Sequence, residues 1–116
     1  MTEAGKVQSD AESAESNRML GLAFQGQGQL DMAFDKLRRA AAGGPVSPEL
    51  MENLYGLALD FERKRQFNKA ESVFRLMADH DPKFRDLPER LARAKQLSET
   101  VMLGGAPTAA GGTAIL

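Results

Sequence analysis

Apolar side chains recur along this chain at steps of three and four residues. Steps of that size keep one helix face apolar, whereas sustained alternation would mark a strand, and no segment alternates. The pattern predicts five helices and an all-α fold. Residues 1–8 mix Gly, Thr, Lys and Glu without period and read as a disordered lead-in. Ser9-Asp10-Ala11-Glu12 has the spacing of a capping box and places the first helix start there. That helix carries Met19, Leu20, Ala23 and Phe24, and should stop at Gly26-Gln27-Gly28, where glycine releases the chain into a turn. A second helix begins near Leu30, with Ala33, Phe34, Leu37 and Ala40 on one stripe, and ends at Gly43-Gly44-Pro45.

Ser47-Pro48-Glu49 is a restart signal: a capping hydroxyl, a proline at the first helical position and an early acid. The third helix carries Leu50, Leu54, Leu57, Ala58 and Phe61 and runs out near Arg63-Lys64-Arg65. The fourth carries Phe67, Ala70, Val73, Phe74 and Met77 and ends before Asp81-Pro82. Asp86 caps a fifth, about residues 86–101, with Pro88 in its first turn and Leu87, Leu91, Ala94 and Leu97 as its stripe. Residues 103–116 turn to Gly, Ala, Thr and Pro. Such a stretch offers little apolar burial against the entropy of ordering it, and a flexible tail is expected.

The pattern also repeats. Ala33 and Ala70 stand 37 residues apart, and the same offset lays Leu20-Gly21 on Leu57-Ala58, Phe24 on Phe61, Leu30 on Phe67, Leu37 on Phe74 and Pro45 on Pro82. Two antiparallel helices approach closely only where side chains are small, which Gly21 with Ala33, and Ala58 with Ala70, would supply. Small, aromatic, alanine, aromatic and proline in this order resemble the tetratricopeptide repeat, a helical hairpin of about 34 residues. Leu37 replaces one aromatic, and Asn17 and Leu54 stand where the family has a large aromatic. The three extra residues fall in the linker around Gly43 to Ser47. The resemblance implies a tetratricopeptide domain over 9–102: repeat one at about 14–47, repeat two at about 51–84, and the fifth helix as a C-terminal cap. Two repeats fall short of the usual minimum of about three, so the cap, self-association or neighbouring domains must make up the deficit.

In that family the first helix of each pair lines a concave groove that receives a peptide or partner domain. Carried onto this sequence, the groove positions are Arg18, Leu22 and Gln25 from the first helix, Tyr55, Leu59 and Glu62 from the third, and Arg93 from the fifth. Members that clamp a chaperone C-terminus use lysine and asparagine where this chain has Arg18, Leu22 and Gly56, so that partner is not expected. The stretches from Gly21 to Lys36 and from Leu59 to Ala70, with Thr100-Val101-Met102-Leu103-Gly104-Gly105 after them, are similar to the helical-repeat region of bacterial membrane-associated serine/threonine kinases. That similarity spans about residues 17–105. It implies a cytoplasmic interaction segment beside a kinase domain, or a homodimeric coupling element. No kinase motif is present in this sequence. Thr108 and Thr113 would be within reach of such a kinase, though unmodified linker threonines are the plainer reading.

Composition narrows the classes. Acidic and basic residues number 16 and 15 among 116, for a net charge of −1, which gives no electrostatic bias toward nucleic acid. Arg38-Arg39 and Arg63-Lys64-Arg65 are short basic clusters interspersed with acids and lacking interleaved aromatics. The chain has no cysteine and one histidine, which removes disulfides, thiolate sites and a histidine-rich metal centre. His80, beside Asp81 at a helix end, suits the helix dipole. Asp60, Glu62, Glu71 and Asp79 read as a solvated face rather than an acid–base pair. Gly26-Gln27-Gly28 follows a helix instead of a strand and is no phosphate loop. No apolar run reaches the ~20 residues of a membrane span, and the start is no signal peptide. No catalytic residues, cofactor or metal are expected.

Overall fold

The computed structural model describes residues 3–102, with side chains for residues 13–100. Within them lie five helices and no strand: α1 (Glu3–Gly26), α2 (Leu30–Ala42), α3 (Pro48–Arg63), α4 (Phe67–His80) and α5 (Leu87–Met102). The chain divides into two compact units, with the division between Leu57 and Ala58 inside α3.

In the first unit α1 packs along α2. Gly21 makes the approach close. A Cβ built there would lie 2.6 Å from Leu37 Cδ2 and 3.3 Å from the Ala33 carbonyl oxygen. Ala33 and Leu37 are both wholly covered, with Leu30, Ala40 and Ala41 beside them. The first ten residues of α3 add Leu50, Met51, Leu54 and Leu57 to the buried set. Ser47 caps that helix as its sequence predicts, its Oγ accepting the Leu50 N–H at 3.1 Å. In the second unit α4 packs along α5. Its core is Ala58, Phe61, Phe67, Ala70, Val73, Phe74, Met77, Leu87 and Ala94.

The repeat is visible in the backbone. After α1 the Gln29 N–H donates to the Phe24 carbonyl at 2.9 Å and the Gly28 N–H to Gln25 at 3.0 Å, with Gly28 at φ +80. After α3 the Gln66 N–H donates to Phe61 at 2.9 Å and the Arg65 N–H to Glu62 at 2.9 Å, with Arg65 at φ +63. Both are Schellman closures, in which a left-handed residue lets the chain satisfy the last carbonyls of the helix. The equivalent atoms lie 37 residues apart.

Two expectations are corrected. The lead-in assigned to residues 1–8 is helical from Glu3 onward, and Ser9 lies inside α1 rather than at its start. Glu3, Ala4, Lys6 and Gln8 are good helix formers, and one glycine among them costs only about 1 kcal/mol. The buried stripe of α1 also differs from the one expected. Met19 is 55% and Leu20 45% exposed, and Ala23 is exposed too. At about 100° per residue, the face holding Gly21 also holds Ala14, Asn17, Arg18, Phe24 and Gln25, while Met19 and Ala23 lie about 160° away from it. The need for a side-chain-free contact at Gly21 overrides the pull of the larger apolar residues. The expectations for 103–116, including Thr108 and Thr113, lie outside the described residues. No described helix is long and apolar enough to cross a membrane.

Candidate functional site

The predicted groove residues divide between the two units. In the first, Arg18, Leu22 and Gln25 share one side of α1, since steps of three and four residues return to the same face. All three are half-buried, as is Tyr55 on α3. Arg18 is the most constrained. Its side chain is 18% exposed. Its Nη2 and Nε donate to the Glu15 carboxylate at 2.8 and 3.1 Å, and its Nη1 donates to Asn53 Oδ1 at 3.0 Å. The hydrogen bond from Arg18 holds the Glu15 carboxyl below the usual carboxylate range. The same bond, with the charge of nearby Glu49, raises Arg18 further. Both are therefore ionised at neutral pH. Gln25 lies against the same first-unit stretch of α3 that carries Tyr55: its Nε2 is 3.7 Å from where a Cβ on Gly56 would stand.

In the second unit Leu59 is half-buried, Glu62 is 13% exposed at its side chain, and Arg93 is exposed. Glu62 Oε1 accepts from Arg90 Nη1 at 2.8 Å, and Arg90 Nε also donates to Asp86 at 3.0 Å. Glu62 Oε2 is out of solvent and accepts no hydrogen bond from the described residues. Glu62 is thus committed to tying the end of α3 to α5, while Arg93, one turn on from Arg90, faces solvent. The basic clusters are tempered by acids: Arg38 and Arg39 both pair with Asp35, at 2.9 and 3.2 Å, and Arg63 pairs with Asp60.

Sequence reasoning passed over a cavity of about 220 Å³ in the first unit. Ala14 and Arg18 of α1, Ala40 of α2, the Gly43–Ser47 connection and Leu50 of α3 wall it. Its signals in the sequence were the three extra linker residues and the small Ala14 and Ala40 standing 37 residues before Met51 and Met77. Gly43 passes close to Ala14 as bare backbone, where a Cβ on Gly43 would come within 3.1 Å of the Ala14 Cβ. Gly44, at φ +154, holds a conformation that side-chain-bearing residues rarely adopt. Among the described residues no group of His, Asp and Glu side chains is placed to hold a metal ion.

Compared with known proteins, the chain matches no protein-family model, and no curated protein matches it.

Proposed function

We propose that this chain is a protein-interaction module of the tetratricopeptide type, which binds a peptide or partner domain through half-buried side chains on its odd-numbered helices. The observation that carries the reading is the doubled burial of a small residue after the same helix-ending turn. Ala33 and Ala70 are each 0% exposed, 37 residues apart, and each follows a helix closed by the same Schellman turn. A generic helical bundle needs amphipathic stripes but not this duplicated set of small side chains and turns.

The binding positions in this proposal are Leu22, Gln25 and Tyr55 in the first unit and Leu59 in the second. Arg18 and Glu62 shape the surface through their ion pairs, and Arg93 adds charge at its margin. Tyr55 combines apolar area with a hydroxyl, a pairing favoured at interfaces. A peptide-array screen tests this. Tyr55→Ala and Leu59→Glu should each weaken the bound peptides by about tenfold or more, and unchanged binding in both variants removes the assignment. The setting proposed for the module is a cytoplasmic segment of a signalling protein adjoining a serine/threonine kinase domain. The coding sequence directly downstream tests that setting.

A second reading, a dimeric coupling element, draws on the exposed apolar side chains Met19 and Leu20, since such surfaces mark contacts when contiguous. Sedimentation over a concentration range decides it, and a stable monomer counts against it.

A further inference from the structure

We propose that the cavity between α1, the end of α2 and the start of α3 receives one uncharged side chain, methionine or phenylalanine, from a partner polypeptide. This deepens the interaction-module reading and rests on it for the source of that side chain. The chemistry of the guest comes from the protein's own second repeat. Moving 37 residues along the sequence from the cavity wall, Ala14 becomes Met51, Ala40 becomes Met77 and Ser47 becomes Phe84. Met51 and Met77 are buried and Phe84 is half-buried. The first repeat therefore carries a methyl, a methyl and a hydroxymethyl where the second carries two thioethers and a phenyl ring. The open volume is what those larger groups would fill.

Size and charge agree with that guest. About 220 Å³ falls below the ~300 Å³ at which small-molecule and cofactor pockets begin, yet it accommodates a single large side chain. Arg18 meets the Glu15 carboxylate and the Asn53 carbonyl, so its charge is already matched. The Ser47 hydroxyl oxygen is engaged by the Leu50 N–H. Glu15 also lines the cavity, so an anionic guest would have to displace it from Arg18 and a cationic guest would have to compete with Arg18 for it, whereas an apolar one meets Ala14, Ala40 and Leu50 without disturbing the pair. Methionine, unbranched and polarisable, suits an irregular space of this kind. The backbone of Gly43 and Gly44 keeps the cavity accessible because neither residue can place a side chain in it.

The test is a nitrogen-15 amide titration of the full chain with three probes: N-acetyl-methioninamide, N-acetyl-phenylalaninamide and N-acetyl-lysinamide. The methionine and phenylalanine probes should shift the Gly43 and Gly44 amides saturably, at concentrations at least tenfold lower than the lysine probe needs. Ala14→Met and Ala40→Met, which copy Met51 and Met77, should each abolish those shifts without lowering the melting temperature. Using both fillers guards against one of them failing to fold. An equal response to the lysine probe, or shifts that survive both fillers, overturns the proposal. So do shifts at Gly43 and Gly44 that depend on protein concentration alone, since these assign the cavity to a second copy. Array peptides that bind Ala14→Met as tightly as the parent but fail on Tyr55→Ala overturn the cavity and leave the module reading standing. Probe binding at the cavity with no array peptide bound removes the module reading while keeping the cavity's apolar preference.

Discussion

The contact at Gly21 yields a sharp test because the same substitution at Gly56 should have the opposite sign. Both glycines lie within helices, where replacing glycine by alanine gains about 1 kcal/mol from backbone entropy. At Gly56 nothing opposes the gain, since the nearest atom to a new Cβ is Gln25 Nε2 at 3.7 Å, ordinary contact distance. Gly56→Ala should therefore stabilise by about 0.5–1 kcal/mol. At Gly21 the new methyl would stand 2.6 Å from Leu37 Cδ2 and 2.7 Å from its Cγ. Leu37 is fully buried and cannot swing aside, and the Ala33 carbonyl at 3.3 Å blocks the other direction. Overpacking of this kind costs about 1–3 kcal/mol. The net expectation for Gly21→Ala is a loss of about 1 kcal/mol, or a melting temperature lower by about 4–8 °C. Leu37→Ala alone should cost about 2–5 kcal/mol. With both changes the added methyl enters the space left by leucine, so the double variant should be more stable than additivity predicts, by about 1–2 kcal/mol. Urea unfolding followed by far-ultraviolet circular dichroism measures all four proteins. If Gly21→Ala stabilises as Gly56→Ala does, or if the double variant is additive, α1 and α2 do not meet through Gly21.

Arg65 occupies the left-handed position that Gly28 occupies one repeat earlier, so Arg65→Gly should stabilise by about 1 kcal/mol and Gly28→Ala destabilise by a similar amount, read from melting temperatures. Ser47→Ala removes the acceptor for the Leu50 N–H and should cost about 1 kcal/mol in chemical denaturation. Arg90→Ala leaves the Glu62 carboxylate largely covered without its cation and should cost about 1–3 kcal/mol, the partial exposure of Glu62 holding it below a fully buried case. Joint replacement of Glu62 and Arg90 by leucine should recover most of that loss, and a failure to recover would show the pair to be net stabilising. The Glu15 carboxyl is lowered chiefly by its hydrogen bond from Arg18; for Asp35, burial pushes upward but Arg39 and Arg38 outweigh it, leaving it lowered. Carboxyls lowered in the folded state contribute stability above their unfolded range, and lose it as pH falls through the lowered values. The melting temperature should stay level down to about pH 5 and then drop, more shallowly in Glu15→Gln and Asp35→Asn.

Much of the helical framework was legible in the sequence because its punctuation is chemical. Glycine after α1, Gly43-Gly44-Pro45 after α2 and Ser47-Pro48 before α3 act through backbone freedom and a missing or satisfied N–H, which are local properties. The buried alanines were legible for a related reason: a small residue among large ones, duplicated at a fixed offset, has little other use. α1 was harder. Its inward face is defined by Gly21, a residue whose contribution is the absence of a side chain, so a count of apolar residues favoured Met19 and Leu20 instead. Ser9 looks like a cap only if the residues before it are not helical, and Glu3 to Gln8 can extend a helix. The ion pairs of Arg18 with Glu15 and of Glu62 with Arg90 depend on rotamers and on neighbouring helices, which residue spacing does not encode. The cavity escaped notice because it is made of what Ala14, Ala40 and Gly43 lack, and only comparison with Met51 and Met77 gives that lack a size.

The four methionines among the described side chains fall into two pairs, with Met19 and Met32 largely in water and Met51 and Met77 enclosed. Thioethers take up oxygen according to their access to an oxidant, so peroxide should convert the outer pair to sulfoxide long before the inner pair. The molecule thereby holds a graded chemical clock of its own. Oxidation at Met51 or Met77 records opening of the core, and slowed oxidation at Met19 relative to Met32 would report that something has settled on the outer side of α1.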